Sequence, residues 1–143
     1  EAEYKAGADR LVAELGGFEK QLDALHQANE DRPVFITEPL PGYLAAAAGL
    51  HDVTPDGFAA AVEEGNDVPP STLLAAVKTI RSGEVVAVLT TVQTGGGETG
   101  RVTDAAKETG IPVVEFSELL EPDQSYAEWM HSAIQSLTEA LAR

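Results

Sequence analysis

Apolar residues at helical spacing mark the start of the chain. They recur at intervals of four, three, four and three positions: Leu11, Leu15, Phe18, Leu22 and Leu25. Such intervals place them on one face of an amphipathic helix. The pattern predicts a helix that runs from residue 2 or 3 to about Ala28, and the charged segment at residues 29–32 ends it.

Three short apolar runs follow, and we interpret each as a β-strand. They lie at residues 34–37, 85–90 and 112–116. The second run is almost continuously apolar, which is typical of a parallel strand covered on both faces. Residues 51–53 are interpreted as either a loop or a very short edge strand.

Helical segments alternate with these strands. They are predicted at residues 43–50, after an N-cap at Thr54, from residues 69–71 onward, before Gly110 and after Pro122. Such alternation favours parallel pairing through right-handed crossovers. We therefore predict an α/β fold, a three-layer αβα domain with a mostly parallel sheet of about four strands at residues 31–143. The long helix of residues 1–30 precedes it, and Tyr126, Trp129 and Met130 of the last helix are expected in the core.

The charge balance narrows the classes of partner. The 143 residues include 24 Asp and Glu but only 9 Lys and Arg, and the net charge is −15. This charge disfavours nucleic acids and anionic lipids and suits a cation or a basic partner. The chain has no Cys, which excludes disulfides and thiolate metal sites. No apolar stretch reaches the length of a membrane span.

A glycine-rich segment after the second long strand suggests one kind of ligand. Residues 95–100, from Gly95 to Gly100, satisfy the G-x-G-x-x-G pattern, and Glu115 and Glu118 lie near the expected position of a ribose-binding acid. However, three additional residues separate the strand from Gly95, and Glu98 would bring negative charge into a phosphate site. A Rossmann-like nucleotide- or dinucleotide-binding domain is therefore the alternative hypothesis.

Two carboxylates suggest a different chemistry. Glu38 and Glu118 each come just after an apolar strand. In a parallel sheet both would lie at the same end of the sheet, beyond the carboxyl ends of the strands. Two such groups could act as acid and base or as oxygen ligands of a cation. The competing interpretation of each is a solvated or helix-capping Glu.

Other catalytic candidates are weak. The three histidines have no i, i+4 or H-E-x-x-H spacing, and no serine lies in a G-x-S-x-G motif. Nucleophilic catalysis therefore has no good candidate.

Several short motifs together resemble a known family. Ile36-Thr37-Glu38 is followed five residues after the Glu by Tyr43, and the later motifs are Gly110-Ile111-Pro112-Val113 and Phe116-Ser117-Glu118. In these features the chain resembles the C-terminal lobe of the zinc- and manganese-binding solute-binding proteins of ABC transporters, in an actinobacterial-like branch. Those proteins have two α/β lobes joined by one long rigid helix.

The resemblance implies the roles of both segments and both carboxylates. Residues 1–30 would be the end of the inter-lobe linker helix, and residues 31–143 the C-terminal lobe. Glu38 would occupy the position of a ligating His or Glu, and Glu118 that of a ligating Asp, with one methylene more. The strand that commonly ends in an acidic residue instead ends in Leu89-Thr90-Thr91 here.

The resemblance also implies a biological setting. The chain would capture Zn²⁺ or Mn²⁺ through Glu38 and Glu118 for delivery to a membrane permease, as part of an exported periplasmic protein or an adhesin-like cell-surface lipoprotein. We expect a monomeric binding protein that is not an enzyme and does not bind nucleic acid. The chain begins within a helix and without Met, so we expect a longer protein with an N-terminal lobe that supplies two histidine ligands. The chain alone is then expected to bind metal weakly.

Overall fold

Four parallel strands form one sheet in the computed structural model, which describes residues 2–92 and 96–142. The strands are β1 (Pro33–Ile36), β2 (His51–Asp52), β3 (Ala87–Thr91) and β4 (Val113–Phe116). Their order in the sheet is β2-β1-β3-β4, and every pair of neighbours is parallel. The fourth strand of the predicted sheet is therefore β2, the very short edge strand.

Helices cover both faces of this sheet. The helices of the described residues are α1 (Ala2–Asn29), α2 (Pro39–Ala47), α3 (Phe58–Glu63), α4 (Pro70–Arg81), α5 (Gly97–Thr109) and α6 (Tyr126–Leu141). Helices α1, α2 and α6 contribute to the apolar cluster on one face, and α3, α4 and α5 contribute to the cluster on the other. The predicted three-layer αβα fold is confirmed.

The alternation of side chains along β1 shows how the two clusters arise. Val34 and Ile36 belong to the first cluster, whereas Phe35 points to the opposite face, as the two-residue period of a strand requires. Phe35 meets the ring of Phe58 edge-on, with 5.2 Å between ring centroids. Because both faces of β1 are buried, the position of its carboxyl end is fixed.

The long helix α1 contacts the domain only over its C-terminal part. Leu25 is buried and Phe18 is half-buried, but Leu11 and Leu15 are 47% and 40% exposed. The predicted helix is confirmed. Its apolar face is longer than the part that packs against the α/β domain, so the N-terminal part of this face is exposed. Among the described residues, no helix is both long and apolar enough to cross a membrane.

A half-buried arginine holds the end of α1 in place. Arg32 Nη1 donates to Asn29 Oδ1 at 2.7 Å and to the carbonyl of Leu141 at 2.8 Å. Near these contacts, Gly49 has a φ of +70° and lies against the ring of His26. The last turns of α1 and α6 and the α2–β2 turn are thereby joined.

Three sequence-based predictions need correction. Helix α2 begins at Pro39 rather than at Tyr43, because the first turn of a helix tolerates proline. Thr54 does not cap α3, which begins after Gly57; its Oγ1 instead accepts a hydrogen bond from the backbone N–H of Ile36 at 2.8 Å. Tyr126, predicted in the core, is 46% exposed.

Candidate functional site

The direction of the strand order reverses between β1 and β3, and a ligand can bind beyond the ends of these two strands. From β1 the chain passes outward to β2, whereas β3 is followed on the opposite side by β4. Ligands of open α/β sheets bind beyond the carboxyl ends of the strands at such a reversal of order. The relevant point here lies between the ends of β1 and β3.

Glu38 lies at this point. It follows Thr37, whose backbone N–H donates to the carbonyl of Leu89 in β3. The residue is only 3% exposed, and its side chain makes no capping hydrogen bond to α2, although Glu38 is the N-cap residue. Both competing interpretations of Glu38, a solvated side chain and a helix cap, are therefore wrong.

A hydroxyl group from the neighbouring strand contacts the Glu38 carboxylate. Thr91, the last residue of β3 and 4% exposed, donates from Oγ1 to Glu38 Oε2. One residue earlier in each segment, Thr37 Oγ1 donates to Thr90 Oγ1 at 3.0 Å. Hydrogen bonds to ionised groups are shorter and stronger than neutral ones, so Thr91 restricts the orientation of the carboxylate.

The start of α2 offers few donors to this carboxylate. Of the first three residues of the helix, Pro39 and Pro41 have no backbone N–H, and only Leu40 has one. A helix N-terminus ordinarily presents several free N–H groups that bind anions. Here that competition for the lone pairs of Glu38 is reduced.

Glu118 belongs to the loop that follows β4. Its side chain is exposed, and the preceding residue is anchored because Trp129 Nε1 donates to the carbonyl of Ser117 at 2.9 Å. Trp129 in turn is in the first turns of α6, where Ser125 and Glu128 form a reciprocal capping box. The half-buried Trp129 thus fixes the backbone beside Glu118.

One cavity brings the two predicted carboxylates together. Its volume is about 470 Å³, and its lining residues are Glu38, Pro39, Leu40, Tyr43, Glu63 and Glu118. Glu63, at the end of α3, adds a third carboxylate that the sequence analysis did not select. Among the described residues, no group of three or more His, Asp or Glu side chains is arranged to hold a metal ion.

The donor set suits a divalent cation but is small. Carboxylate oxygens bind divalent metals, and four ligands are usual for zinc. The sequence pattern does not indicate a ligand-binding role for Thr91 or for Glu63, whose acidic patch with Glu64 and Asp67 is by default a solvated face. Thr91 is an unremarkable strand-end residue in sequence, and only the register of β3 against β1 places it beside Glu38. Glu63 is on a helix whose orientation the sequence pattern does not determine.

The described part of the glycine-rich segment, residues 96–100, lacks the features of a dinucleotide site. Gly95 lies outside the described residues, Gly96 is the N-cap of α5, and Gly97 is its first residue. The third glycine of the fingerprint permits close packing of helix and strand, yet a Cβ atom added at Gly100 would meet nothing within 4 Å. Glu98 also brings a negative charge to the first turn of α5.

Comparison with solved structures identifies the fold. The laminin-binding protein Lmb of Streptococcus agalactiae, described as a bifunctional protein with adhesin and metal-transporting activity, matches with a TM-score of 0.71 and 16% identity over 96% of this chain and 52% of its own. A crystal structure of ZnuA matches with a TM-score of 0.64 and 21% identity over 97% of this chain and 49% of its own.

The periplasmic zinc-binding protein TroA of Treponema pallidum matches similarly, with a TM-score of 0.66 and 15% identity over 98% of this chain and 51% of its own. The chain therefore spans about half the length of these structures. No curated protein sequence matches the chain.

Comparison with family models goes further than the fold. The model of ZnuA, the periplasmic component A of a zinc-uptake complex, matches residues 1–140. This match covers nearly the whole chain and agrees with the resemblance that the motifs around Glu38 and Glu118 suggested. The chain belongs to the ZnuA family of zinc-uptake components.

Proposed function

We propose that this chain is the C-terminal lobe of a metal-capturing solute-binding protein, with Glu38 and Glu118 as ligands of a Zn²⁺ or Mn²⁺ ion. One observation carries the proposal. A buried carboxylate, oriented by Thr91 at the reversal of strand order, lines the same cavity as a second carboxylate. Membership of the ZnuA family supports a metal ion as the cargo.

Each carboxylate has a distinct part in this proposal. Glu38 is held in place and would give the site a fixed ligand, whereas Glu118 is exposed on a loop and would move onto the ion. Zinc–carboxylate distances are about 2.0–2.2 Å, so both groups must come close to one point. Their two negative charges balance the charge of a divalent cation, and further ligands would complete the coordination sphere.

The remaining ligands are proposed to come from an N-terminal lobe. Residues 1–30 would be the end of the helix that joins the two lobes, and residues 31–143 the C-terminal lobe. Two features support this division. In the N-terminal half of α1, Tyr4 is 86% exposed and Val12 is 69% exposed. At the edge of the cavity, Tyr43 is 76% exposed. Apolar surface of this kind is commonly an interaction site.

The complete protein would be an exported receptor rather than an enzyme. It would bind the ion between its lobes in the periplasm or at the cell surface and deliver it to an ABC-transporter permease. The family model, which describes a periplasmic zinc-uptake component, supports this setting. Transport by cells that carry only the Glu38→Gln protein tests delivery, and we expect uptake of the metal to fall to the level of a deletion strain.

Metal titration of the chain tests the site itself. We expect Zn²⁺ or Mn²⁺ to bind with micromolar or weaker affinity, since two ligands are fewer than a complete site requires. Glu38→Gln and Glu118→Gln should each weaken binding at least about tenfold, because each removes one charged ligand. Isothermal titration calorimetry with each ion separately measures the affinity and the preference between the metals.

A matched control is available in Glu64→Gln. Glu64 is exposed, follows Glu63 directly and does not line the cavity. The Glu64→Gln protein should bind both metals with the same affinity as the unmodified chain. Equal affinity of the Glu38→Gln and Glu64→Gln proteins would contradict the assignment of Glu38, and sub-micromolar binding by the unmodified chain would contradict the shared site.

A further inference from the structure

The open edge of β4 has a set of backbone groups directed away from the sheet. The backbone N–H of Val88 donates to the carbonyl of Pro112, and that of Val92 donates to the carbonyl of Phe116, each at 2.9 Å. In a parallel ladder, alternate residues of a strand bond to the same neighbour. Val114 therefore also bonds to β3, whereas the N–H and C=O groups of Val113 and Glu115 face outward.

No other strand of the described residues covers this edge. In the sheet order, β4 is terminal and pairs with β3 alone. The opposite edge is formed by β2, which has only two residues. The four residues of β4 span about 13 Å at the usual rise per residue. The β4 edge is therefore the longer of the two edges of the sheet.

A groove follows this edge between β4 and α6. A cavity of about 320 Å³ is lined by Val113, Val114, Glu115, Ser136 and Glu139, among others. A second cavity of about 160 Å³ shares Glu115 and Ser136 with the first and continues toward Trp129. An edge strand beside a helix is the arrangement in which extended peptides add a strand to a sheet.

The charge of the groove indicates which peptide would fit. Glu115 and Glu139 line the first cavity and Glu115 and Glu121 the second. Residues 111–142, which form β4, α6 and the loop between them, include no Lys or Arg. A second copy of this chain is disfavoured as the occupant, because two edges with Glu115 and two molecules of charge −15 would repel.

We propose that the β4 edge binds an extended, basic segment of a partner protein as an additional strand. The outward N–H and C=O groups of Val113 and Glu115 would form the main-chain hydrogen bonds. Glu115, Glu121 and Glu139 would interact with Lys or Arg side chains of the segment. This surface is separate from the cavity of Glu38 and Glu118, so the proposal does not depend on metal binding.

Amide hydrogen exchange with a defined peptide tests the proposal. The probe is an acetylated octapeptide of alternating Lys and Val, and the comparison peptide has Glu in place of Lys. We expect the amides of Val113 and Glu115 to exchange rapidly in the free chain and at least about tenfold more slowly at about 1 mM basic peptide. The amides of Val114 and Phe116 should be protected in both states.

Two variants separate charge from main-chain pairing. The double substitution E115K/E139K should weaken binding at least about tenfold, whereas E84K, on an exposed residue that lines neither cavity, should not. E115P removes one outward N–H but no bond to β3, since proline is tolerated on an edge strand. It should abolish the protection of Val113 while far-UV circular dichroism shows a folded chain.

Three results would each overturn the proposal. The first is the absence of protection at about 1 mM basic peptide. The second is equal binding of the acidic and basic peptides. The third is protection of Val113 and Glu115 that rises with protein concentration when no peptide is present, because this would identify a second copy of the chain as the occupant.

Discussion

At the scale of single residues, the hydrogen bond from Thr91 to Glu38 helps to orient the buried carboxylate of the candidate site. Glu38 could be selected from sequence because a carboxylate after a buried strand is conspicuous, and Glu118 could be selected in the same way. Thr91 could not, because its importance comes only from the parallel register that brings the ends of β1 and β3 together. A threonine in this position orients the carboxylate without adding a charge.

Replacing Thr91 tests this orientation. Thr91→Val keeps the shape of the side chain but removes the donor to a buried carboxylate, so the free energy of unfolding should fall by about 1–3 kcal/mol. Affinity for the metal should fall as well, because Glu38 would lose one of the groups that orient its carboxylate. Chemical denaturation and calorimetric titration measure the two effects.

Thr90→Val is the matched control for this change. Thr90 is equally buried on the same strand, but its hydroxyl bonds to Thr37 rather than to Glu38. It should lower stability by a comparable amount and leave metal affinity unchanged. A Thr91→Val protein that binds metal as tightly as the Thr90→Val protein would show that Thr91 has no role in positioning Glu38.

At the scale of secondary-structure elements, most of the fold could be predicted from the sequence. Continuous apolar runs predicted β1, β3 and β4, because both faces of these strands contribute to the apolar clusters. Helical spacing of apolar residues predicted α1 and α6, because each of these helices buries one face. The start of α2 and the cap of α3 were wrong. The start of α2 was misplaced because a first helical turn accepts proline. The cap of α3 was misplaced because Thr54 bonds to Ile36 in the neighbouring strand rather than to its own helix.

The junction of α1 with the domain depends on a glycine that must remain small. A Cβ atom at Gly49 would lie 2.5 Å from the His26 ring, and the φ of +70° is unfavourable for other residues. Gly49→Ala should therefore reduce the free energy of unfolding by about 1–3 kcal/mol. Thermal and urea denaturation measure the loss.

Gly16→Ala provides the opposite case. Gly16 lies inside α1, and a Cβ atom there would meet nothing within 4 Å. Alanine should raise stability by up to about 1 kcal/mol, because glycine is a poor helix former. If Gly49→Ala were as well tolerated as Gly16→Ala, the contact between His26 and Gly49 would not restrain α1.

At the scale of the whole molecule, the charge of −15 would influence how a cation reaches the proposed site. A strongly negative surface raises the local concentration of cations, and a cavity with charged walls concentrates the field. Glu63 lines the cavity with Glu38 and Glu118, but it is exposed at the end of α3. Because the family resemblance gives a ligand position to Glu118 but not to Glu63, we expect Glu63 to attract the ion rather than to ligate it.

Association kinetics distinguish attraction from ligation. Glu63→Gln should slow metal association several-fold at low ionic strength and leave the dissociation rate unchanged, whereas Glu64→Gln should alter neither. The difference should shrink as salt increases, because the screening length falls to about 10 Å at 0.1 M. Stopped-flow measurements over a range of salt concentrations test this, and a faster dissociation of the Glu63→Gln complex would instead make Glu63 a ligand.

The two prolines at the start of α2 have a consequence for the sign of the charge that this end of the sheet can bind. A helix N-terminus normally attracts anions. A carboxylate beside the start of a helix therefore tends to accept hydrogen bonds from the free N–H groups of that helix. Pro39 and Pro41 remove two of the N–H groups that would do so. The prolines thus let a helix begin beside a carboxylate without the full set of N–H groups that would bind it, so this corner of the α/β fold can suit a cation instead of an anion.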